Sequence, residues 1–142
     1  MTVTELKRAL SRSGFEIYRT LSNGVALVER VRENLILDSG VRVEPRADGF
    51  VVRVVFRAEG RGFPGESEEQ MRARVHALSS QATAADFVVI GAEVVPQMDP
   101  ARPGIELDRF YEESCERALS SFDEAIDVVR AAFGWTRSIP AQ

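Results

Sequence analysis

Val41-Arg-Val-Glu-Pro-Arg-Ala-Asp-Gly-Phe-Val-Val-Arg-Val-Val-Phe-Arg57 is the stretch on which the reading of the fold turns. In its second half Phe50, Val52, Val54 and Phe56 share one side, while Val51, Arg53, Val55 and Arg57 share the other, because successive side chains of a strand point in opposite directions. One wholly apolar face and one mixed face describe a strand that is buried on one side only. Asp48-Gly49 fits a type I′ hairpin turn, whose central residues need positive φ. Pro45 has no N–H to give to a ladder, so it marks the end of the preceding strand or a bulge before the turn.

Working outward from this hairpin, the same signals recur upstream. Phe15 to Leu21 and Val25 to Val31 flank Asn23-Gly24 as a further hairpin. Arg32 to Leu37 is read as strand, since Val31, Glu33, Leu35 and Leu37 alternate, although Val28, Val31 and Leu35 also stripe a helix. Ser39-Gly40 is expected to break the chain. At the start, Thr2-Val-Thr-Glu5 has capping-box spacing and opens a helix with Val3, Leu6, Ala9 and Leu10 on one face, stopped by Gly14.

Downstream, Gly60 to Gly65 is a connector, and Ser67 to Gln70 caps a helix carrying Met71, Val75, Leu78 and Ala82 on one face. Phe87 to Val95 is a nearly continuous apolar run, the pattern of a strand covered on both faces, with Pro96 ending it. After a stiff connector from Met98 to Gly104, the spacing of Tyr111, Cys115, Ala118, Phe122, Ala125, Val129 and Ala132 predicts one helix from about Glu106 to Phe133. At 1.5 Å per residue its roughly 28 residues would reach about 42 Å. Its outer face, with Glu112, Glu113, Glu116, Asp123, Glu124 and Asp127, would be strongly acidic.

The expected fold is therefore α+β: residues 1–142 as one domain, an antiparallel sheet of four to five strands, an N-terminal helix, a middle helix and a long C-terminal amphipathic helix packed on it. The 44% apolar and 28% charged composition is that of a chain able to bury a core. No apolar run of signal-peptide or membrane-spanning length is present, which implies a cytoplasmic protein without a membrane partner. Lys7 is the only lysine among 18 basic residues, an arginine bias that hints at a GC-rich bacterial genome. The net charge of −4 divides into +3 over residues 1–62 and −7 over residues 63–142. That is far from the basic excess of a nucleic-acid binder, though it could steer a protein partner or orient two copies.

Reactive residue types are scarce. His76 is the only histidine and lies mid-helix between Val75 and Ala77 with no motif around it. Cys115 is alone, which excludes an internal disulfide or a multi-cysteine metal site, and its acidic neighbours Glu112 and Glu116 would raise a thiol pKa. The Gly60 to Gly65 loop lacks the Gly-Lys-Ser/Thr of a phosphate-binding turn. The reading is therefore no catalytic residue, no metal and no cofactor. One constellation stands out: Val51, Arg53, Val55 and Arg57, with the two arginine positions roughly 13 Å apart on the side of the strand away from the apolar stripe. It is either plain exposed sheet or a contact surface for an acidic protein partner. Tyr111, Phe122 and Val129, on the expected long helix, are the candidate subunit contacts.

With Thr2 to Ser13 as the opening helix, Phe15 to Arg57 as a meander and Glu66 to Ala82 as the second helix, the element order resembles the type III secretion chaperone-like fold of YbjN-type proteins. That resemblance implies a small homodimeric binding module. It rests on element order, with no motif, and the expected terminal helix is longer than that fold requires. The function expected is a non-catalytic, chaperone-like protein-binding module, homodimeric and in the bacterial cytoplasm. The alternatives are a small-molecule binder or enzyme with a pocket between sheet and long helix, using Arg53, Arg57 or Tyr111, and a structural subunit of a larger assembly.

Overall fold

The computed structural model describes residues 1–59 and 67–136; the Gly60 to Gly65 connector lies outside the described residues. The chain runs α1 (Val3–Arg12), β1 (Ile17–Thr20), β2 (Val25–Arg32), β3 (Leu35–Arg46), β4 (Gly49–Glu59), α2 (Glu68–Ala84), β5 (Val88–Met98), β6 (Glu106–Leu119) and α3 (Phe122–Ala132). The six strands form one antiparallel sheet in the order β1-β2-β3-β4-β6-β5. Four strands follow as a meander. The chain then crosses through α2 to the far edge, and β6 returns between β4 and β5, so that β4, α2 and β5 make a split β-α-β unit.

Both expected capping boxes form, at Thr2 with Glu5 and at Ser67 with Gln70. Both helices also close with the same pair of backbone bonds, a Schellman end, using Gly14 at φ +93 and Asp86 at φ +68 in the left-handed position. The apolar faces read from the sequence are the buried ones. Leu6 and Leu10 of α1, Met71, Val75, Leu78 and Ala82 of α2, and Ala125, Ile126, Val129 and Ala132 of α3 join one core with Val25, Leu27, Val41, Val43, Phe50, Val52, Val54 and Phe56. Among the described residues the opposite sheet face carries no helix.

The long C-terminal helix is not formed, and the sheet has six strands instead of four to five. Residues 106–119 are β6, and only Phe122–Ala132 is helical. Tyr111, Cys115 and Leu119 alternate toward the core as a strand requires, but Glu113 stands at a core-facing position between them and hides the period of two. Tyr111 and Cys115, four apart, satisfy both periods at once. The break is Ser120-Ser121, where Ser121 caps α3 by accepting from the Glu124 amide. The acidic outer face is accordingly split: Glu112 and Glu116 lie on the open sheet face, Glu113 faces the core, and Asp123, Glu124 and Asp127 belong to α3.

The apolar run ending in Val95 is not a strand covered on both faces. It is β5, the edge of the sheet, and it continues past Pro96 to Met98. An edge tolerates proline because one side of the strand has no ladder to supply. The two hairpin turns sit one residue earlier than expected. Leu21 N–H bonds Gly24 O at 2.8 Å around Ser22-Asn23, and Arg46 pairs with Gly49 around Ala47-Asp48. Neither Asn23 nor Asp48 has positive φ, so these are not type I′ turns on the expected pairs. Gly24 is needed for close approach: a Cβ there would meet Val43 O at 2.5 Å. The ambiguous Arg32 to Leu37 stretch holds a β-turn at Glu33-Asn34 between two strands.

Ser39-Gly40 does not end a strand but bends one. Between the pairs Ala26 with Arg42 and Val28 with Asp38, two steps of β2 face four of β3. Gly40 takes φ +79, Gly40 N–H bonds Asp38 Oδ1 at 2.9 Å, and Ser39 Oγ bonds Leu27 O at 2.7 Å. From this bulge onward β3 and β4 part. Their pairing ends at Val41 with Val54, after which β3 continues with β2 alone and β4 with β6 alone. The sheet forks.

Candidate functional site

The open sheet face is ordered in rows across the strands. Registers place Arg19, Ala26, Arg42, Arg53 and Glu116 in one row, and Arg57, Glu112 and Glu93 in another. Val51, Arg53, Val55 and Arg57 do share this face, but the acids facing the arginines come from their own chain. Arg53 bridges Glu44 at 3.1 Å and Glu116 at 3.2 Å, leaving its buried Nε without a partner. Arg57 Nε bonds Glu112 Oε1 at 2.6 Å, and its guanidinium stacks over the Phe110 ring at 4.9 Å. Arg42 grips Asp38 through two bonds of 2.7 Å. Burial alone would raise the Asp38 carboxyl, yet the hydrogen bonds from Arg42 and Gly40 hold it below its ordinary value.

At the fork, between the β2/β3 leaf and the β4/β6 leaf, lies a polar cavity of about 380 Å³ lined by Tyr18, Arg19, Asp38, Arg42, Val55 and Arg57, together with Gly40 and Thr136. Thr136 Oγ1 donates to Ser39 O at 3.1 Å. Sequence reasoning missed this site, because nothing local links Arg19 to Arg57. The bulge that brings them together read as a chain break.

Tyr111, Phe122 and Val129 are not gathered on an outward helical face. Tyr111 and Val129 are buried within the chain, and Phe122 packs edge-on against Phe50 at 5.8 Å between centroids. The Tyr111 hydroxyl donates to Glu113 at 3.2 Å, which also accepts from Ser79 Oγ at 2.8 Å and lies 3.8 Å from His76 Nδ1. This cluster fastens α2 to β6. Ser79 is wholly buried. Burial, followed by the charge of Glu113, pushes the Tyr111 phenol above its usual range and the Cys115 thiol up to about 11. Such a thiol is a poor nucleophile at neutral pH. Beside α3 a second cavity, of about 350 Å³, is lined in part by Phe87, Arg117, Glu124, Asp127 and Trp135; Arg53, Arg57 and Tyr111 are not among its walls.

The other feature without an internal explanation is β5. Val88, Val89 and Ile90 are 65%, 40% and 46% exposed, and Met98 is exposed as well. Glu93 is the only ionisable residue from Val88 to Met98. Among the described residues no three His, Cys, Asp or Glu side chains converge as metal ligands, and no helix is long and apolar enough to cross a membrane. No protein-family model, curated protein or solved structure matches the chain.

Proposed function

We propose that this chain is a non-catalytic protein-binding module of the bacterial cytoplasm that associates as a homodimer through strand addition at β5. The observation that carries the reading is the edge: eleven residues, largely apolar on both faces, with one side of the backbone unpaired among the described residues. Such an edge is a template for a further strand, and soluble proteins ordinarily blunt it with charge, brevity or a covering element. Two copies related by a two-fold axis present antiparallel β5 strands to each other, continue the sheet and bring apolar neighbours beside Val88, Val89 and Ile90. With one carboxylate per strand, Glu93, only a register that sets the two glutamates directly opposite is opposed by charge.

Size-exclusion chromatography with light scattering tests the reading. The expected result is twice the 15.7 kDa chain mass at high micromolar concentration, reduced to the chain mass in a Val88→Lys, Ile90→Lys double variant whose far-UV spectrum is unchanged. A wild-type monomer, or a dimer indifferent to both lysines, would overturn it.

A further inference from the structure

We infer that the fork in the sheet is a binding site for a small oxyanion, the phosphate or carboxylate group of a metabolite-sized ligand. The cavity walls carry three guanidinium groups, Arg19, Arg42 and Arg57, against one carboxylate, Asp38; Arg42 is paired with Asp38 and Arg57 with Glu112, so the excess positive charge is that of Arg19. Asp38 is already held by both nitrogens of the Arg42 fork and by Gly40 N–H, so it has little left to offer a third cation. Arg19 acts on Asp38 only through its field and makes no hydrogen bond or ion pair among the described residues. It is an exposed positive charge on the rim of a concave polar site, with no donor spent on a described residue. A planar guanidinium matches the geometry of a carboxylate or phosphate through paired bonds. Tyr18 adds a hydroxyl on the same strand.

The local backbone supports the same assignment. Ala26, between Arg19 and Arg42 in the cross-strand row, is fully buried although it points to the open face, so the row dips at its small side chain. The bulge at Gly40 then ends the β3–β4 ladder, and beyond Val55 O, which still lies against Gly40, the two strands diverge. The volume, about 380 Å³, is at the small end of ligand pockets and suits a compact anion.

The test is a titration of the full-length, nitrogen-15-labelled chain with inorganic phosphate and, separately, citrate, against sodium chloride at matched ionic strength. Saturating shifts of the Gly40 amide and the Arg19 Nε–H are expected with one or both probes and not with chloride. Arg19→Gln is expected to weaken that binding about tenfold, as is Arg57→Gln from the opposite leaf, each without a change in melting temperature. Arg30→Gln, an exposed arginine paired with Glu16 away from the fork, should bind like the parent. Shifts that do not saturate, that chloride reproduces, or that survive Arg19→Gln and Arg57→Gln undiminished would overturn the assignment.

Discussion

The sheet has two edges, and they are finished in opposite ways. β1 is four residues long, carries Arg19, and lies under α1, whose Leu6 and Leu10 are completely buried. The chain beside it is tied down as well, by the Phe15 ring against Phe133 at 5.7 Å and by Arg30 bonded to Glu16. β5 has nearly three times the length, one charge, and exposed apolar side chains on both faces. One edge is closed by brevity, charge and a covering helix, whereas the other sets only Glu93, Pro96 and two register shifts against its length and its exposed apolar side chains. The difference argues that the open edge is a working surface, since the same chain evidently can protect an edge.

Substitutions can break or sharpen this contrast. The largest effect is expected beneath the covered edge. Leu10→Ala should cost about 2–5 kcal/mol in urea unfolding, whereas Val89→Ala on the bare edge should cost under about 1 kcal/mol, because its side chain is 40% exposed. Equal losses would mean that β5 is better covered than its exposure indicates. Next come two glycines. Gly24→Ala, beside β1, sets a Cβ against the Val43 carbonyl and should destabilise by about 1–3 kcal/mol. Gly91→Ala, in β5, meets nothing within 4 Å and should leave the melting temperature unchanged or raise it slightly.

The smallest effect is in pH. Cys115 lies opposite Val89, and burial, followed by the charge of Glu113, pushes its folded thiol up to about 11 from an ordinary value of 9.0. With the folded pKa raised, its contribution is complete below pH 9 and is lost as pH climbs from about 9 toward 11. The loss should be about 1 kcal/mol by pH 10 and absent from that window in Cys115→Ala. Alkylation of Cys115 at pH 8 should accordingly be slow.

What the sequence disclosed and what it concealed divide along physical lines. α1, α2, β2, β4 and the second half of β3 were legible because caps and period-two alternation are local, whereas the first half of β3 was not, because the Ser39-Gly40 bulge looks like a chain break. β6 was not, because Glu113 occupies an inward position made tolerable only by Ser79 and Tyr111, which reach it through the folded structure. β5 was read as a strand but given the wrong surroundings, since an apolar run looks the same whether neighbours cover it or not. Of the candidate site, Arg53 and Arg57 were seen, but their carboxylates were assigned to a helix that does not exist. Arg19, which makes no hydrogen bond or ion pair among the described residues, was not legible as a site residue because its neighbours at the fork lie about twenty and forty residues away.

The return of β6 between β4 and β5 has a consequence for how the chain is made. β4 leaves the ribosome long before the strand that pairs with it, for Glu59 and Leu119 are separated by a stretch that takes roughly 3–12 s to translate at ordinary elongation rates. Throughout that interval the nascent meander ends in an unpaired, valine-rich border. Premature encounters between neighbouring nascent chains on one messenger would happen there, at β4, and not at the edge the finished protein leaves open.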